Sequence, residues 1–282
     1  MTGPASDIPE SWSNRRWWAW GFLPILAVAL ALGVQMQPAG SAAAEANRAL
    51  FLLINQAGTY GSATAWSSVT MLGDASLLLA LLSPLLLVRP QAVAAVLAAA
   101  PLGGLLSVIF KRTFDAPRPA GVLDAAQFHV IGPVLSQHSF PSGHTIAAFS
   151  VAVAVLAVLQ RPAEGREPSG LRVAGIFVAA IGLASLVGIS RIAVGAHWPV
   201  DVLAGAACGW LAGLSGAAAS RRWPMLWQGV RSRWGLMGVL IGVAAWLLWR
   251  PVDYPLGAPV VWLSVASVAI TAVALWVRAR QS

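Results

Sequence analysis

Three short segments of the sequence contain most of the side chains that could do chemistry. They read KRTFDAPRP at 111–119, FPSGHT at 140–145 and SRIAVGAHWPVD at 190–201. In the last segment His197 lies just before a proline that can begin a helix, and Asp201 follows four residues later. At that spacing the carboxylate can accept a hydrogen bond from one ring nitrogen, which fixes the tautomer and makes the other nitrogen more basic. The pair therefore predicts a histidine nucleophile that the aspartate orients.

The same segments contain groups that suit a phosphate. Lys111, Arg118 and Arg191 are cations, and the planar forks of the two arginines match phosphate oxygens in pairs. In PSGH, Ser142 is a good N-cap and Gly143 lets the backbone come close to a ligand. The free N–H groups and the dipole at such a helix start attract an anion. The sequence therefore predicts a phosphate-binding site.

His144 completes a set of residues for phosphoryl transfer. It can protonate the leaving oxygen while His197 attacks phosphorus, so that the phosphate passes through a phosphohistidine. The fixed cations and the helix start would neutralise the charge on the phosphate oxygens, so neither a metal nor a cofactor is expected. The two histidines could instead bind zinc, but no third histidine, cysteine or glutamate pairs with them at ligand spacing.

Other polar residues near these segments have simpler interpretations. His129 and His138 have no partner at a meaningful spacing and are interpreted as loop residues, with a place at the lip of the substrate site as the alternative. Arg112 and Asp115 can form a local salt bridge and are left out of the predicted site. Asp74 follows a glycine and is predicted to cap a helix.

The composition is typical of a membrane protein. Of the 282 residues, 58% are hydrophobic and 10% are charged, against about 25% charged in ordinary soluble domains. The net charge of +8 comes almost entirely from arginines at the ends of apolar runs, so the expected partner is the lipid bilayer and not nucleic acid. The lone cysteine, Cys208, excludes an intramolecular disulfide and is interpreted as a small buried hydrophobe.

Eight apolar runs are candidate membrane spans, which predicts an all-α fold, a polytopic bundle of membrane helices. They are 17–35, 63–88, 91–110, 142–160, 171–190, 199–219, 235–249 and 258–277. The run 63–88 contains Gly73 and Asp74, which indicate a short helix followed by a longer one. Residues 48–57 are too short to span and are predicted to lie at the membrane interface.

The arginines predict how the spans are oriented. With the N-terminus inside, twelve of the eighteen basic residues share one face, which the positive-inside rule makes cytoplasmic. These residues are Arg15, Arg16, Arg89, Arg161, Arg166, Arg172, Arg221, Arg222, Arg231, Arg233, Arg278 and Arg280. The three chemical segments and all four histidines fall on the opposite face.

The predicted organisation has three parts. A cytoplasmic N-terminal tail covers 1–16, a catalytic membrane domain covers 17–220, and a basic linker with two additional helices covers 221–282. The first apolar run also resembles a signal peptide ahead of the small residues SAAA. Its length and the tryptophans at its entry favour a retained span.

With these motifs assembled, the chain resembles the type 2 phosphatidic acid phosphatase (PAP2) family, of the acid phosphatase and vanadium haloperoxidase superfamily. The family signature is K-x6-RP, PSGH and SR-x5-H-x3-D. The matching residues here are Lys111, Arg118 and Pro119, then Pro141, Ser142, Gly143 and His144, then Ser190, Arg191, His197 and Asp201. The motifs cover about residues 111–201, and two helices after about residue 220 depart from a minimal six-helix core.

The resemblance implies a six-helix PAP2-like core and a role for each motif residue. It implies that His197 is the nucleophile, that Asp201 orients it and that His144 is the general acid. The implied phosphate-binding residues are Lys111, Arg118, Ser142, Gly143 and Arg191. Because the charged groups cluster at the ends of helices, a transporter is disfavoured, and the spans disfavour a haloperoxidase, whose relatives are soluble.

The sequence therefore predicts a lipid phosphatase at the periplasmic face of a bacterial inner membrane. Undecaprenyl diphosphate is the first expectation for the substrate. Phosphatidylglycerol phosphate, phosphatidic acid and lipid A phosphates are alternatives, as is a phosphotransferase of the same family that passes the phosphate to a lipid acceptor.

Overall fold

The computed structural model describes residues 15–159 and 170–281, with side chains from Gly21 and, after the gap, from Leu171. Eleven α-helices and three short 3-10 turns account for the regular structure of these residues. The helices are α1 Arg15–Gln35, α2 Ala42–Gly58, α3 Ala63–Met71, α4 Ala75–Leu81, α5 Leu85–Val88, α6 Pro90–Phe114, α7 Gly143–Leu159, α8 Gly170–Ala193, α9 Pro199–Arg222, α10 Gly229–Trp249 and α11 Ala258–Gln281. The all-α prediction is confirmed.

Some predictions concern residues outside this description. These predictions are the cytoplasmic tail, as far as residue 14, and the cytoplasmic side chains of Arg15, Arg16, Arg161 and Arg166. The three-part organisation, with a boundary after residue 220, stays a prediction.

Five helices of the described chain are long and apolar enough to cross a membrane. They are Pro90–Gly121, Leu171–Ala193, Pro199–Arg222, Gly229–Trp249 and Pro255–Gln281. The pair α3 and α4 passes the same test together but is bent by 81°. Two further apolar helices, Gly21–Gln35 and Gly143–Leu159, are shorter. Within the described residues the eight predicted runs thus fall mainly on helices. The interfacial position of α2, which contains 48–57, stays a prediction.

The longer helix predicted in the second half of 63–88 does not form, so this prediction was wrong. Asp74 Oδ1 accepts hydrogen bonds from the N–H groups of Ser76 and Leu77 at 2.9 and 3.1 Å, which confirms Asp74 as a helix cap. The capped helix α4 has 7 residues and α5 has 4. Pro84 lies between them, and because proline has no N–H and clashes with the preceding turn, it separates the two helices.

Helices α7 and α9 pack closely because one face of α9 is glycine. Gly205, Gly209 and Gly213 recur every fourth residue, a spacing that lets membrane helices approach each other. A Cβ on Gly205 would lie 2.7 Å from the carbonyl oxygen of Ser142, which leaves no room for a side chain. At this contact the N–H of Ser142 donates to the carbonyl oxygen of Asp201 at 3.0 Å. The glycine face therefore brings the second and third motifs together.

The end of the bundle away from the three motifs contains the basic ends of several helices. Gln91 Nε2 donates to Ser220 Oγ at 3.3 Å, and Arg278 Nη1 donates to the carbonyl oxygen of Leu87 at 2.9 Å. The start of α6 and the ends of α5, α9 and α11 therefore meet there, and they include Arg89, Arg221, Arg222, Arg278 and Arg280.

The last two helices are joined by residues 250–257, which we call the strap. Helices α10 and α11 pack against α4. In the turn after α4, Ser83 Oγ shares hydrogen bonds with Ser267 Oγ and Thr271 Oγ1 of α11 at 3.0 and 3.1 Å. The strap ends in a 3-10 turn, Pro255–Gly257, that packs against α3. The C-terminal pair thus reaches the end of the bundle that contains the three motifs.

Candidate active site

The predicted nucleophile pair forms where the chain turns from α8 into α9. His197 lies in this turn and Asp201 in the first turn of α9, and both side chains are buried, 2% and 0% exposed. His197 Nδ1 and Asp201 Oδ2 are 3.4 Å apart, a long contact within hydrogen-bonding range. The i to i+4 arrangement expected from the sequence is therefore present.

Two further donors hold the Asp201 carboxylate. Ser139 Oγ donates to Asp201 Oδ2 in a short hydrogen bond, and the N–H of Trp198 donates to the same oxygen at 2.8 Å. These bonds fix the carboxylate against the turn that holds His197. Ser139 was not among the predicted site residues, because a serine one residue before the second motif carries no spacing signal.

The ring of His197 is held from both sides in its neutral form. A proton on Nδ1 pairs with Asp201, and Nε2 then accepts a hydrogen bond from Arg118 Nη1 at 3.1 Å. Burial holds the pKa of His197 well below its ordinary value of 6.5, and the positive charges of Arg118, Arg191 and Lys111 lower it further. A neutral imidazole with a lone pair on Nε2 is the state that a nucleophile needs.

The positive charges of all three predicted cations lower the pKa of this ring, and Arg118 contacts it directly. Arg118 is 6% exposed, and its guanidinium donates from Nε to the carbonyl oxygen of Gln137 at 2.9 Å and from Nη1 to that of Ala196 at 3.0 Å. Lys111 lies in the last turn of α6, because the helix continues to Phe114, beyond the predicted end of the run at residue 110. Three cations near a neutral imidazole make a site for an anion.

Arg191 lies in the last turn of α8 and is 3% exposed. Its Nη1 donates to Thr70 Oγ1 at 2.6 Å and to Tyr254 Oη at 2.8 Å. Its Nε is buried and has no hydrogen-bond partner in the described part of the chain. Neither Thr70 in α3 nor Tyr254 in the strap was predicted, because both are far from the motifs in sequence.

The PSGH segment begins α7 as predicted. Ser142 Oγ accepts hydrogen bonds from Thr145 N–H at 3.4 Å and from Thr145 Oγ1 at 2.9 Å, as a capping residue does. A Cβ on Gly143 would lie 3.9 Å from Lys111 Nζ, so the lysine borders the start of the helix. His144 follows in the first turn and is close enough to His197 to affect its pKa. All eight predicted site residues therefore belong to one cluster, and their individual roles stay predictions.

Asn55 in α2 holds the turn between Arg191 and His197. Its Nδ2 donates to the carbonyl oxygens of His129, Ile192 and Ala193 at 2.8, 3.2 and 3.0 Å, and its Oδ1 accepts from the N–H of His129 at 2.7 Å. Asn55 is 2% exposed, so these bonds are shielded from solvent. This residue was also missed, since an asparagine in an amphipathic run is usually a surface group.

The residues left out of the predicted site lie outside the cluster. Asp115 pairs with His138, at 2.9 Å between Oδ1 and Nδ1, and not with Arg112. Both side chains are largely exposed, and Arg112 and His129 are exposed as well. The backbone explains the change of partner, because Asp115 ends α6 in the left-handed conformation and its side chain leaves the helix axis.

A groove of about 320 Å³ leads away from the cluster along the helices. It begins at Ser107 and Gly143 and is bordered further along by Val96, Ala147 and Ser150. From Ser107 to Val96 it follows about 16 Å of α6. A second cleft of about 370 Å³, which includes Leu23, Phe149 and Trp210, is apolar and contains none of the predicted site residues.

Comparisons with known proteins identify a family and several relatives. A family model described as the PAP2 superfamily matches residues 92–224. A Rhizobium etli protein named "Lipid A 1-phosphatase" is 34% identical over 139 residues, which cover 47% of this chain and 52% of that protein. A Sulfolobus acidocaldarius protein named "Undecaprenyl-diphosphatase" is 34% identical over 85 residues, 30% of this chain and 33% of that one.

The fold is shared with a solved structure. The crystal structure of a Bacillus subtilis protein, described as the first transmembrane PAP2 type phosphatidylglycerolphosphate phosphatase, is 22% identical in sequence and superposes with a TM-score of 0.53. The match covers 71% of this chain and 96% of that one. The chain spans about half the length of the Rhizobium etli relative and a third of the Sulfolobus relative. Through the segment 92–224, which contains all three motifs, the chain belongs to the PAP2 superfamily.

Proposed function

We propose that the protein is a metal-independent membrane lipid phosphatase that works through a phosphohistidine on His197. The observation that carries this proposal is the buried pair of His197 and Asp201 with three cations around the ring. Arg118 already donates to Nε2, the nitrogen that would attack, so an anion held by Arg118 lies beside the nucleophile. Fixed guanidinium and ammonium groups supply the charge stabilisation that phosphoryl transfer needs.

The reaction follows in two balanced steps. A phosphate oxygen takes over the hydrogen bond from Arg118, and His197 Nε2 forms a bond to the terminal phosphorus. The bond from that phosphorus to the leaving oxygen breaks while His144 gives that oxygen a proton; the leaving oxygen is the ester oxygen of a lipid monophosphate or the bridging oxygen of a lipid diphosphate. Water then attacks phosphorus, loses a proton to His144 and displaces Nε2, which releases inorganic phosphate. Asp201 stabilises the positive charge on the ring in the intermediate.

The groove supports a lipid as the substrate. It opens beside Gly143, where the phosphate would bind, and runs between membrane-spanning helices toward Val96. A substrate with its phosphate in the cluster and its chain in the groove needs to leave the bilayer only at its head group. A water-soluble phosphate ester gains nothing from an apolar path about 16 Å long.

Undecaprenyl diphosphate is the first proposed substrate, and the Sulfolobus relative carries the name of that activity. Lipid A 1-phosphate is the second, favoured by the longer match to the Rhizobium protein. One polar group supports an acylated lipid. Ser150 borders the groove, and its hydroxyl is buried without a hydrogen-bond partner in the described chain. An acyl chain offers a carbonyl or hydroxyl to such a group, whereas a prenyl chain does not.

The proposed location is the inner membrane of a bacterium, with the site on the periplasmic side. The basic helix ends at the far end of the bundle support this orientation, because arginines concentrate on the cytoplasmic side.

The test is phosphate release by detergent-purified protein from a panel of lipid phosphates in the presence of EDTA. The panel contains undecaprenyl diphosphate, lipid A 1-phosphate, phosphatidylglycerol phosphate and phosphatidic acid. We expect release by the wild type and by His129→Ala, a control with an exposed histidine, and a loss of activity of at least about a thousandfold in His197→Ala.

Three outcomes would contradict the proposal. No release from any lipid, or full activity in His197→Ala, removes the catalytic assignment. Strict dependence on added divalent metal removes the metal-independent mechanism. Release in ¹⁸O-labelled water separates hydrolysis from phosphotransfer, because only hydrolysis places the label in inorganic phosphate.

A further inference from the structure

The strap lies outside the segment that matches the family, yet it borders the active site. Arg250 Nη2, at its start, pairs with Asp74 Oδ2 at 2.8 Å, and the two residues line a small cavity together with His144. At its end Gly257 packs against α3, where a Cβ would lie 2.9 Å from the carbonyl oxygen of Ser67. The strap is therefore attached at both ends to the helices next to the cluster.

Tyr254 is the strap residue that reaches the cluster. It is 3% exposed, and its ring packs so closely on Gly132 that a Cβ there would collide with it. Its Oη accepts a hydrogen bond from Arg191 Nη1 at 2.8 Å, and the guanidinium carbon lies 5.6 Å from the centre of its ring. Thr70 Oγ1 accepts from the same nitrogen at 2.6 Å.

These two hydroxyls determine which side of the guanidinium remains available. A guanidinium has five N–H donors and no acceptor, so both hydroxyls must accept from Nη1. Nε of Arg191 is buried without a partner in the described chain. The edge formed by Nε and Nη2 is therefore the one that can donate two parallel hydrogen bonds to a phosphate.

We infer that Tyr254 is a positioning residue that turns Arg191 toward the bound phosphate, so that the C-terminal helix pair forms part of the active site. This inference rests on the proposed function, since it assigns Arg191 to phosphate binding. Tyr254 acts with Thr70, and each removes rotational freedom from a long side chain that would otherwise be ordered only on binding. Because Tyr254 accepts from Arg191, this contact does not use its own hydroxyl proton.

The variant Tyr254→Phe tests the inference, since it keeps the ring and removes the hydroxyl. We expect kcat/KM to fall about tenfold and the inhibition constant of inorganic phosphate to rise by a similar factor, as for the loss of one hydrogen bond to a charged group. The matched control is Tyr60→Phe, which changes the other tyrosine of the chain, 93% exposed, and should leave both constants unchanged.

A double-mutant cycle separates positioning from a general effect on packing. In an Arg191→Lys background Tyr254→Phe should cost less than about twofold, because the hydroxyl then has no guanidinium to orient. Equal costs in both backgrounds, or unchanged kcat/KM and phosphate inhibition in Tyr254→Phe, would overturn the inference. If Tyr254→Phe fails to fold, Thr70→Val removes the second hydroxyl and must show the same loss and the same dependence on Arg191.

Binding of inorganic phosphate, measured by calorimetry without turnover, distinguishes this inference from the proposed function. If the wild type binds phosphate tighter than Tyr254→Phe yet hydrolyses no lipid, the positioning role stands and the catalytic proposal fails. If the wild type hydrolyses lipid and both proteins bind phosphate equally, the positioning role fails and the catalytic proposal stands.

Discussion

Arg118 and Arg191 are the same residue type, are almost equally buried and converge on one ring, but different kinds of group hold them. Arg118 donates to the carbonyl oxygens of Gln137, His138 and Ala196, all of them main-chain atoms within the PAP2 segment. Arg191 donates to the side-chain hydroxyls of Thr70 and Tyr254, both outside that segment.

The difference separates what the motifs supply from what the rest of the chain supplies. Carbonyl oxygens are available to any sequence that folds the loop correctly, so the orientation of Arg118 follows from the backbone. The orientation of Arg191 depends on two particular side chains that the three motifs do not include. In this chain the PAP2 segment itself orients one of the two arginines proposed to bind phosphate, whereas residues outside that segment orient the other.

Replacing each arginine in turn by lysine tests this comparison, and we expect these variants to show the largest losses of kcat/KM. Arg118→Lys should lower kcat/KM by about 10²–10³-fold, because one ammonium group cannot replace the hydrogen bonds to the loop and to His197 Nε2. Arg191→Lys should cost about tenfold to a hundredfold, since Arg191 makes no hydrogen bond to the nucleophile in the described structure. Steady-state kinetics on a lipid phosphate provide the measurement.

The control for both changes is Arg112→Lys, at an exposed position in the last turn of α6, and it should behave as the wild type. A larger loss in Arg191→Lys than in Arg118→Lys would reverse the assigned order of the two arginines.

Ser139→Ala should have a smaller effect and one confined to kcat. The Ser139 hydroxyl donates to Asp201, so its loss should slow attack by His197 about tenfold with little change in KM. Ser136→Ala, three residues earlier and exposed, serves as the matched control. A rise in KM with unchanged kcat would place Ser139 in phosphate binding instead.

The smallest of these effects is expected in the pH dependence of activity. Because the pKa of His197 lies well below 6.5, the ring stays neutral as the pH falls through 6.5, and an acid limb due to His197 should appear only at lower pH. Arg118→Gln removes one positive charge, so the pKa of His197 should rise and the limb should move upward, while burial keeps it below 6.5. A limb that stays in place, or moves to lower pH, would show that Arg118 does not act on His197.

The sequence predicted the part of the site that depends on local spacing. His197 and Asp201 are four residues apart across the start of α9, and the PSGH segment begins α7, so short-range geometry determines their arrangement. Ser139, Thr70, Tyr254 and Asn55 could not be found in this way, because their contacts depend on tertiary packing. Thr70 and Tyr254 are 121 and 63 residues from Arg191 along the chain.

The fold was predictable to a similar degree. Continuous apolar runs indicated the helices, and Gly73 and Asp74 indicated the first break in the run 63–88, but the second break, at Pro84, was missed. Asp115 gave a similar error, because its pairing with His138 depends on how the loop folds back. Composition thus predicts where helices lie, whereas their breaks and loop contacts depend on single residues.

The most direct test of the account is to trap the covalent intermediate. The wild-type protein, mixed with a ³²P-labelled lipid phosphate and quenched within milliseconds, should carry an acid-labile, base-stable label on the peptide that contains His197. His197→Ala should carry no label, and His129→Ala should be labelled as the wild type. A label on another residue, or phosphate release by an enzyme that never becomes labelled, would contradict the central claim that His197 is the nucleophile.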